Sequence, residues 1–184
     1  MPMKETYVLS DAISLVRMRE EDRPDIFTLM QTIYPPVYEH LWEDGGLAYV
    51  ESVYGEANFQ RELLLENTYS WRVQVDGELC GVLRIILDRK SPDFPDRPTM
   101  KLQRIYLHPD THGKGLGKKI MDWVVDQSKE EGKDLLWLEC MDSQPQAIRF
   151  YEKMGFQKGE AFEYPSDEMK KEFRGMIRMW KEIS

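Results

Sequence analysis

The apolar and polar positions divide the chain into short alternating runs and longer stretches that repeat every three to four residues. Residues 14–19 (SLVRMR) alternate and predict a first strand. Glu20, Glu21 and Asp22 with Pro24 mark a helix start, with acids at the positive end of the dipole. Ile26, Leu29, Met30 and Ile33 form its inward face until Pro35 and Pro36 end it. Gly45 and Gly46 break the chain, and a further helix is expected over roughly residues 58–66. Residues 71–75 and 79–87 predict two strands joined by Asp76-Gly77, a strong local hairpin signal. Residues 91–98 hold three prolines and predict a loop.

The stretch 101–131 carries the chemistry. An alternating run through Leu102, Ile105 and Leu107 predicts a central strand, which His108-Pro109 closes. Gly113, Lys114, Gly115, Leu116 and Gly117 then open a helix whose buried face is Leu116, Ile120, Met121, Val124 and Val125. Amides left unpaired at a helix start and exposed by glycines make a site for phosphate or pyrophosphate. Lys114, Lys118 and Lys119 add cations beside it. A Walker A loop is excluded, because His112 stands where its first glycine must be and Lys119 where Ser or Thr must be. A Rossmann fingerprint is excluded too, since Lys118 takes the third glycine's place and no first strand sits tightly before the loop.

Further on, residues 135–140 (LLWLEC) read as a buried strand. Pro145 suits a first helical turn, and Gly155 suits a left-handed C-terminal cap with Phe156 folding back. Residues 162–164 and 175–180 predict two last strands, taken as antiparallel.

Two segments in this order resemble the signatures of the GNAT superfamily of N-acetyltransferases. His112-Gly113-Lys114-Gly115-Leu116-Gly117 is similar to the pattern [QR]-x-x-G-x-[GA], with His112 in place of Gln or Arg. Gln144, Ala147, Tyr151, Gly155 and Phe156 are similar to N-x-x-A-x-x-x-Y-x-x-x-G-F, with Gln144 in place of Asn. The resemblance implies an α/β fold of the α+β kind, with a mixed, mostly antiparallel sheet flanked by helices. It implies acetyl-CoA as cosubstrate, bound by the His112–Lys118 loop, by Gln144 and by a backbone amide among Ile105, Tyr106 and Leu107 that polarises the acetyl carbonyl. It also implies Tyr151 as the acid that protonates the leaving thiolate. Tyr151 shares a helical face with Ala147, Ile148 and Met154, a placement equally suited to the core. The family's usual strand glutamate is absent: Lys101 and Gln103 stand in its places. Glu139 is the candidate base, Asp142 a second, and relay through water a third route.

Between Glu39 and Glu66 the chain carries Glu39, Glu43, Asp44, Glu51, Glu56, Glu62 and Glu66 against the basic Arg61. Acids beside an amine site would favour a polycation, and the YPPVYEHLW segment loosely resembles bacterial spermidine/spermine acetyltransferases. A solvated acidic face reads equally well. His40 stands in the same segment, as a lining residue or a surface one. The expected activity is acetyl transfer to a primary amine of a small molecule or peptide. The alternative is a catalytically silent acyl-CoA-binding sensor or scaffold.

Composition narrows the class. The 184 residues suit one domain: an N-terminal extension (1–13), an acceptor-side half (14–100) and an acetyl-CoA half (101–184). A formal charge of −8 argues against nucleic acid as a partner. No apolar run reaches a membrane span, and the start lacks a signal peptide's basic and apolar regions. Cys80 and Cys140, flanked by apolar residues, read as reduced core thiols of a cytoplasmic protein. Three histidines without a Cys/His cluster give no metal signature. Homodimerisation, common in the family, is left open.

Overall fold

The computed structural model describes residues 3–183. Eight strands build one sheet: β1 (Thr6–Val8), β2 (Ile13–Arg17), β3 (Thr68–Val75), β4 (Glu78–Ile86), β5 (Thr99–Leu107), β6 (Leu135–Met141), β7 (Gln157–Glu163) and β8 (Gly175–Glu182). They lie in the order β1-β2-β3-β4-β5-β6-β8-β7, and every neighbouring pair is antiparallel except β5–β6. Four helices cover one face: α1 (Arg23–Ile33), α2 (Pro35–Tyr38), α3 (Leu47–Tyr54) and α4 (Glu56–Leu63). Two cover the other: α5 (Leu116–Glu130) and α6 (Pro145–Lys153). The mixed, mostly antiparallel sheet flanked by helices is the fold the resemblance implies.

Each face has its own core. Ile26, Met30 and Ile33 of α1, Val50 of α3 and Phe59 of α4 are buried against Met18 and Val82. On the opposite face Leu116, Ile120, Met121 and Val124 of α5 pack on Leu83, Ile85, Leu136 and Leu138. The period-2 strands thus feed both layers. Asp76 (φ 50°) and Gly77 (φ 83°) both adopt the left-handed conformation that a two-residue hairpin requires. Gly155 (φ 87°) caps α6 as expected, with the Phe156 amide bonded back to the Tyr151 carbonyl at 3.0 Å.

Several elements differ from the expectation. The extension is not merely an extension: it supplies β1, anchored where Tyr7 packs on Trp123 (4.7 Å between centroids) and Trp71 (6.2 Å). α3 was not expected, because its sequence (LAYVESVY) is rich in aromatic and β-branched residues with weak helix preference. It starts where the Asp44 carboxylate accepts from the amides of Gly46 (2.9 Å) and Ala48 (2.6 Å). α4 occupies Glu56–Leu63 rather than 58–66, since extended Gly55 opens it early. Pro35 ends α1 but at once begins α2, the one helical position that tolerates its missing N–H. β7 starts at Gln157, not 162, because β8 pairs with a polar edge run that has no apolar alternation to announce it.

Candidate active site

β5 and β6 pair only at Thr99–Leu135, Met100–Leu136 and Lys101–Trp137. Beyond Lys101, β5 stays bonded to β4 and β6 to β8, so the sheet opens between them. A cleft of about 270 Å³ occupies the opening. Its walls include Leu102–Tyr106 from β5, Leu138–Met141 from β6, and Gln144, Ala147 and Tyr151 from the start and face of α6.

The direction of the β5 amides follows from its pairing. The His108 amide donates to the Cys80 carbonyl of the β4 side at 2.7 Å. Alternation along the strand then turns the amides of Tyr106 toward β4, and those of Ile105 and Leu107 toward the opening. A bulge sets this phase. Arg84 stands opposite Arg104 and Ile85 opposite Leu102, which leaves Gln103 as the extra residue. Without that residue every amide and side chain beyond it would exchange faces. The Arg84 guanidinium holds the bulge, donating to Gln103 Oε1 (2.6 Å) and to Ser70 Oγ (2.7 Å).

Arg84 belongs to a buried ionic cluster behind the cleft. Glu62 of α4 accepts two bonds from Arg104 (2.7 and 2.8 Å) and lies 3.7 Å from Arg84. Burial lowers the Arg84 pKa to about 10. Burial also pushes the Glu62 carboxyl up, but the hydrogen bonds and charge of Arg104, with Arg84, outweigh it and hold Glu62 below its ordinary value.

The far end of the cleft is aromatic. Tyr34 stacks on Tyr49 (4.4 Å) and Tyr38 (4.7 Å), and Tyr106 meets both Tyr34 and Tyr38 edge-on. The Tyr49 and Tyr106 hydroxyls bond each other at 2.9 Å, and the Trp42 indole donates to the Tyr34 hydroxyl at 2.9 Å. Gln144 is buried and donates to the Val37 carbonyl at 3.2 Å, fixing α2 against the start of α6.

The glycine loop lies apart from the cleft, at the N-terminus of α5. Gly113 (φ 74°) and Gly115 (φ 76°) are both left-handed, and nothing approaches within 4 Å of where a Cβ would stand. Among the described residues, the amides of Gly113, Gly115, Leu116, Gly117 and Lys118 have no protein acceptor. An open row of donors at the positive end of a 15-residue helix fits a phosphate-bearing group. The Leu116 side chain is core, so its amide is what it can offer. Lys118 pairs with Asp122 at 2.7 Å on the helix surface, while His112 and Lys114 are exposed.

The cleft therefore gathers Ile105, Tyr106, Glu139, Gln144 and Tyr151, while Leu107 packs in the core beside it. Burial, then the neighbouring Cys140 and Tyr38, raise the Tyr151 phenol well above its ordinary value. Glu139 is bound to Lys101 at 2.6 Å, and burial, partly offset by that carboxylate, lowers the Lys101 pKa. Asp142 and His40 do not line the cleft; the His40 ring packs edge-on against Phe173. The acids between Glu39 and Glu66 do not face the cleft either, which agrees with the solvated-face reading of that stretch. Glu62 is consumed by Arg104, and Glu39, Glu43, Asp44, Glu51, Glu56 and Glu66 are exposed elsewhere. The tyrosine wall and the Arg84 cluster went unread in the sequence. Tyr34, Tyr38 and Tyr49 share no single period that would bring them together on paper.

Residues 28–156 match the acetyltransferase (GNAT) family. The chain belongs to that family. An uncharacterized N-acetyltransferase of Lactobacillus delbrueckii subsp. lactis is 23% identical over 78% of this chain and 83% of its own length. The ribosomal protein bS18 alanine N-acetyltransferase of Escherichia coli (strain K12) is 35% identical over 50% of this chain and 56% of its own length. The same fold recurs in a ribosomal L7/L12 alpha-N-protein acetyltransferase solved with coenzyme A (TM-score 0.74, 12% identity, 97% of this chain and 98% of that one). It recurs in a spermidine N-acetyltransferase chimera from Vibrio cholerae and hSSAT (TM-score 0.67, 15% identity, 94% and 96%).

Proposed function

We propose that this acetyltransferase takes acetyl-CoA as cosubstrate and transfers its acetyl group to a primary amine held where β5 and β6 part. One observation carries the reading: strand amides facing the opening, a half-buried tyrosine and an aromatic wall meet in a single cleft. The coenzyme A complex of the L7/L12 enzyme, which shares the fold, supports it.

The unpaired amides of Gly113, Gly115, Leu116, Gly117 and Lys118, with His112 and Lys114 beside them, receive the phosphates. An alkylammonium titrates near ~10.4, so a proton must leave before the nitrogen can attack. Glu139 is the carboxylate that lines the cleft, paired with Lys101 at 2.6 Å, and it is the group placed to accept this proton. As the C–N bond forms and the C–S bond breaks, one β5 amide on the open side, that of Ile105 or of Leu107, donates to the carbonyl oxygen that gains negative charge. Such donors typically contribute about 3–4 kcal/mol. Tyr151, kept protonated by burial, gives its proton to the departing thiolate and is reprotonated by the second proton, which leaves the nitrogen as the amide forms. The products are the N-acetyl amide and the CoA thiol, with one proton released to solvent. Buried, unpaired Cys80 and Cys140 are in keeping with a reducing compartment such as the cytoplasm.

The test is thiol release from acetyl-CoA with a panel of primary amines, Tyr151→Phe run beside the parent. The expected result is turnover by the parent and a fall of about 10²-fold in kcat for the variant, with KM for acetyl-CoA little changed. Acetyl-CoA binding by calorimetry with no thiol release for any amine would make the chain a silent acyl-CoA-binding module instead.

A further inference from the structure

The acceptor end of the cleft is built from Tyr38, Trp42, Tyr106, Tyr164, Met169 and Met176. The charged groups lining the cleft are Lys101, Glu139 and Arg104. Lys101 and Glu139 neutralise each other at 2.6 Å, and Glu62 neutralises Arg104 from behind the wall. Glu62 also faces Arg84, so the lining groups and their partners sum to one positive charge; among the described residues Glu139 is the one carboxylate lining the cleft, and none is left over for a second cation. The two sides of this end are also tied together. The Glu43 amide donates to the Glu168 carbonyl (3.3 Å) and the Lys170 amide to the Leu41 carbonyl (2.8 Å), across the Trp42–Met169 bridge. At about 270 Å³ the cleft lies below the ~300–1,000 Å³ usual for ligand pockets, and it must hold the acetyl end as well.

Resting on the acetyl-transfer reading above, we infer that the acceptor is a compact amine with one positive charge and an aromatic or otherwise apolar body, rather than a polyamine. The reacting ammonium meets Glu139, while the rest of the molecule lies on tyrosine rings and thioethers that favour apolar surface. A polyamine would bring a second and third ammonium into a wall with no carboxylate to receive them, and each would lose its hydration uncompensated.

The experiment compares kcat/KM for phenethylamine and tyramine with that for spermidine and for a short peptide with a free N-terminus, using the full chain and acetyl-CoA. The aryl amines are expected to exceed spermidine by at least about tenfold. Tyr164→Glu, at a half-exposed wall position, is expected to shift the ratio about tenfold toward spermidine by supplying the missing carboxylate. Spermidine or the peptide matching the aryl amines would overturn the inference. So would acetyl-CoA that binds by calorimetry while neither aryl amine is acetylated. Absence of acetyl-CoA binding would instead remove the acetyl-transfer reading on which the inference rests.

Discussion

Glu62→Gln tests whether the ionic cluster behind the cleft holds α4 to the sheet. In the parent, one carboxylate faces two guanidinium groups: Arg104 by two short hydrogen bonds and Arg84 at 3.7 Å. The side chains of Glu62, Arg84 and Arg104 are 14%, 5% and 13% exposed, so water cannot replace the lost charge. Removing one partner of a buried pair typically costs about 3–5 kcal/mol. With a urea slope of about 2 kcal/mol/M, the unfolding midpoint falls by about 1.5–2.5 M at pH 7. Replacing Glu62 and Arg104 together by Leu and Met should recover part of that loss, because the tightest pair is removed whole and Arg84, which keeps its bonds to Gln103 and Ser70, is the one charge of the cluster left without a carboxylate. The acid limb has a definite sign. Glu62 is held below its unfolded value of about 4.3, so its contribution is complete above that pH and disappears as pH falls through the folded pKa. Stability of the variant should therefore depend less on pH below about 4 than that of the parent. A midpoint shift under about 0.5 M, or a double variant no better than Glu62→Gln, would refute the argument.

Gly115→Ala forces a Cβ onto a residue at φ 76°, with open space around it, so its cost is conformational: about 1–2 kcal/mol. Calorimetry should show acetyl-CoA affinity down by about tenfold, and unchanged affinity would mean the loop does not hold the phosphates in this conformation. Burial, helped by Asp142, lifts the Cys140 thiol to about 11, and burial raises Cys80 as well. Both thiols should therefore react with a disulfide reagent slowly at pH 8 in the native protein and within minutes in urea. Fast native labelling would show that the cleft is more open to solvent than its geometry indicates.

The β5–α6 half was legible because its signals are local. Proline at 109, glycines at 113, 115 and 117, and the 116–125 periodicity each dictate a conformation within a few residues, and the structure has a turn, a left-handed loop and a helix there. The Asp76-Gly77 hairpin was legible for the same reason. Elements held by distant contacts were not. β1 depends on aromatic packing between Tyr7 and Trp123, more than a hundred residues away, and β7 on pairing with β8 rather than on its own polar sequence. α3 forms despite weak intrinsic preference, because Val50, Val53 and Tyr54 are buried in the core that it shares with α1.

The same division runs through the site. Motif reading singled out the glycine-rich loop at the start of α5 and Tyr151 in the cleft, which depend on backbone conformation and fixed spacing. It left the run of acids between Glu39 and Glu66 open between a negative wall and a solvated face, and could not choose. A helix's charges say nothing about which side faces a cleft until its buried side is known. In α4 that buried side includes Glu62, and its carboxylate points at Arg104 instead of at a substrate. The wall that remains comes from four separate segments: Tyr34–Tyr38, Trp42–Tyr49, Tyr106 and the β7–β8 loop. Closing the Trp42–Met169 bridge brings the first two against the last, so on the proposed reading acceptor choice would depend on tertiary assembly. Substitutions that break this bridge should change which amine is accepted before they change how the acetyl group is held.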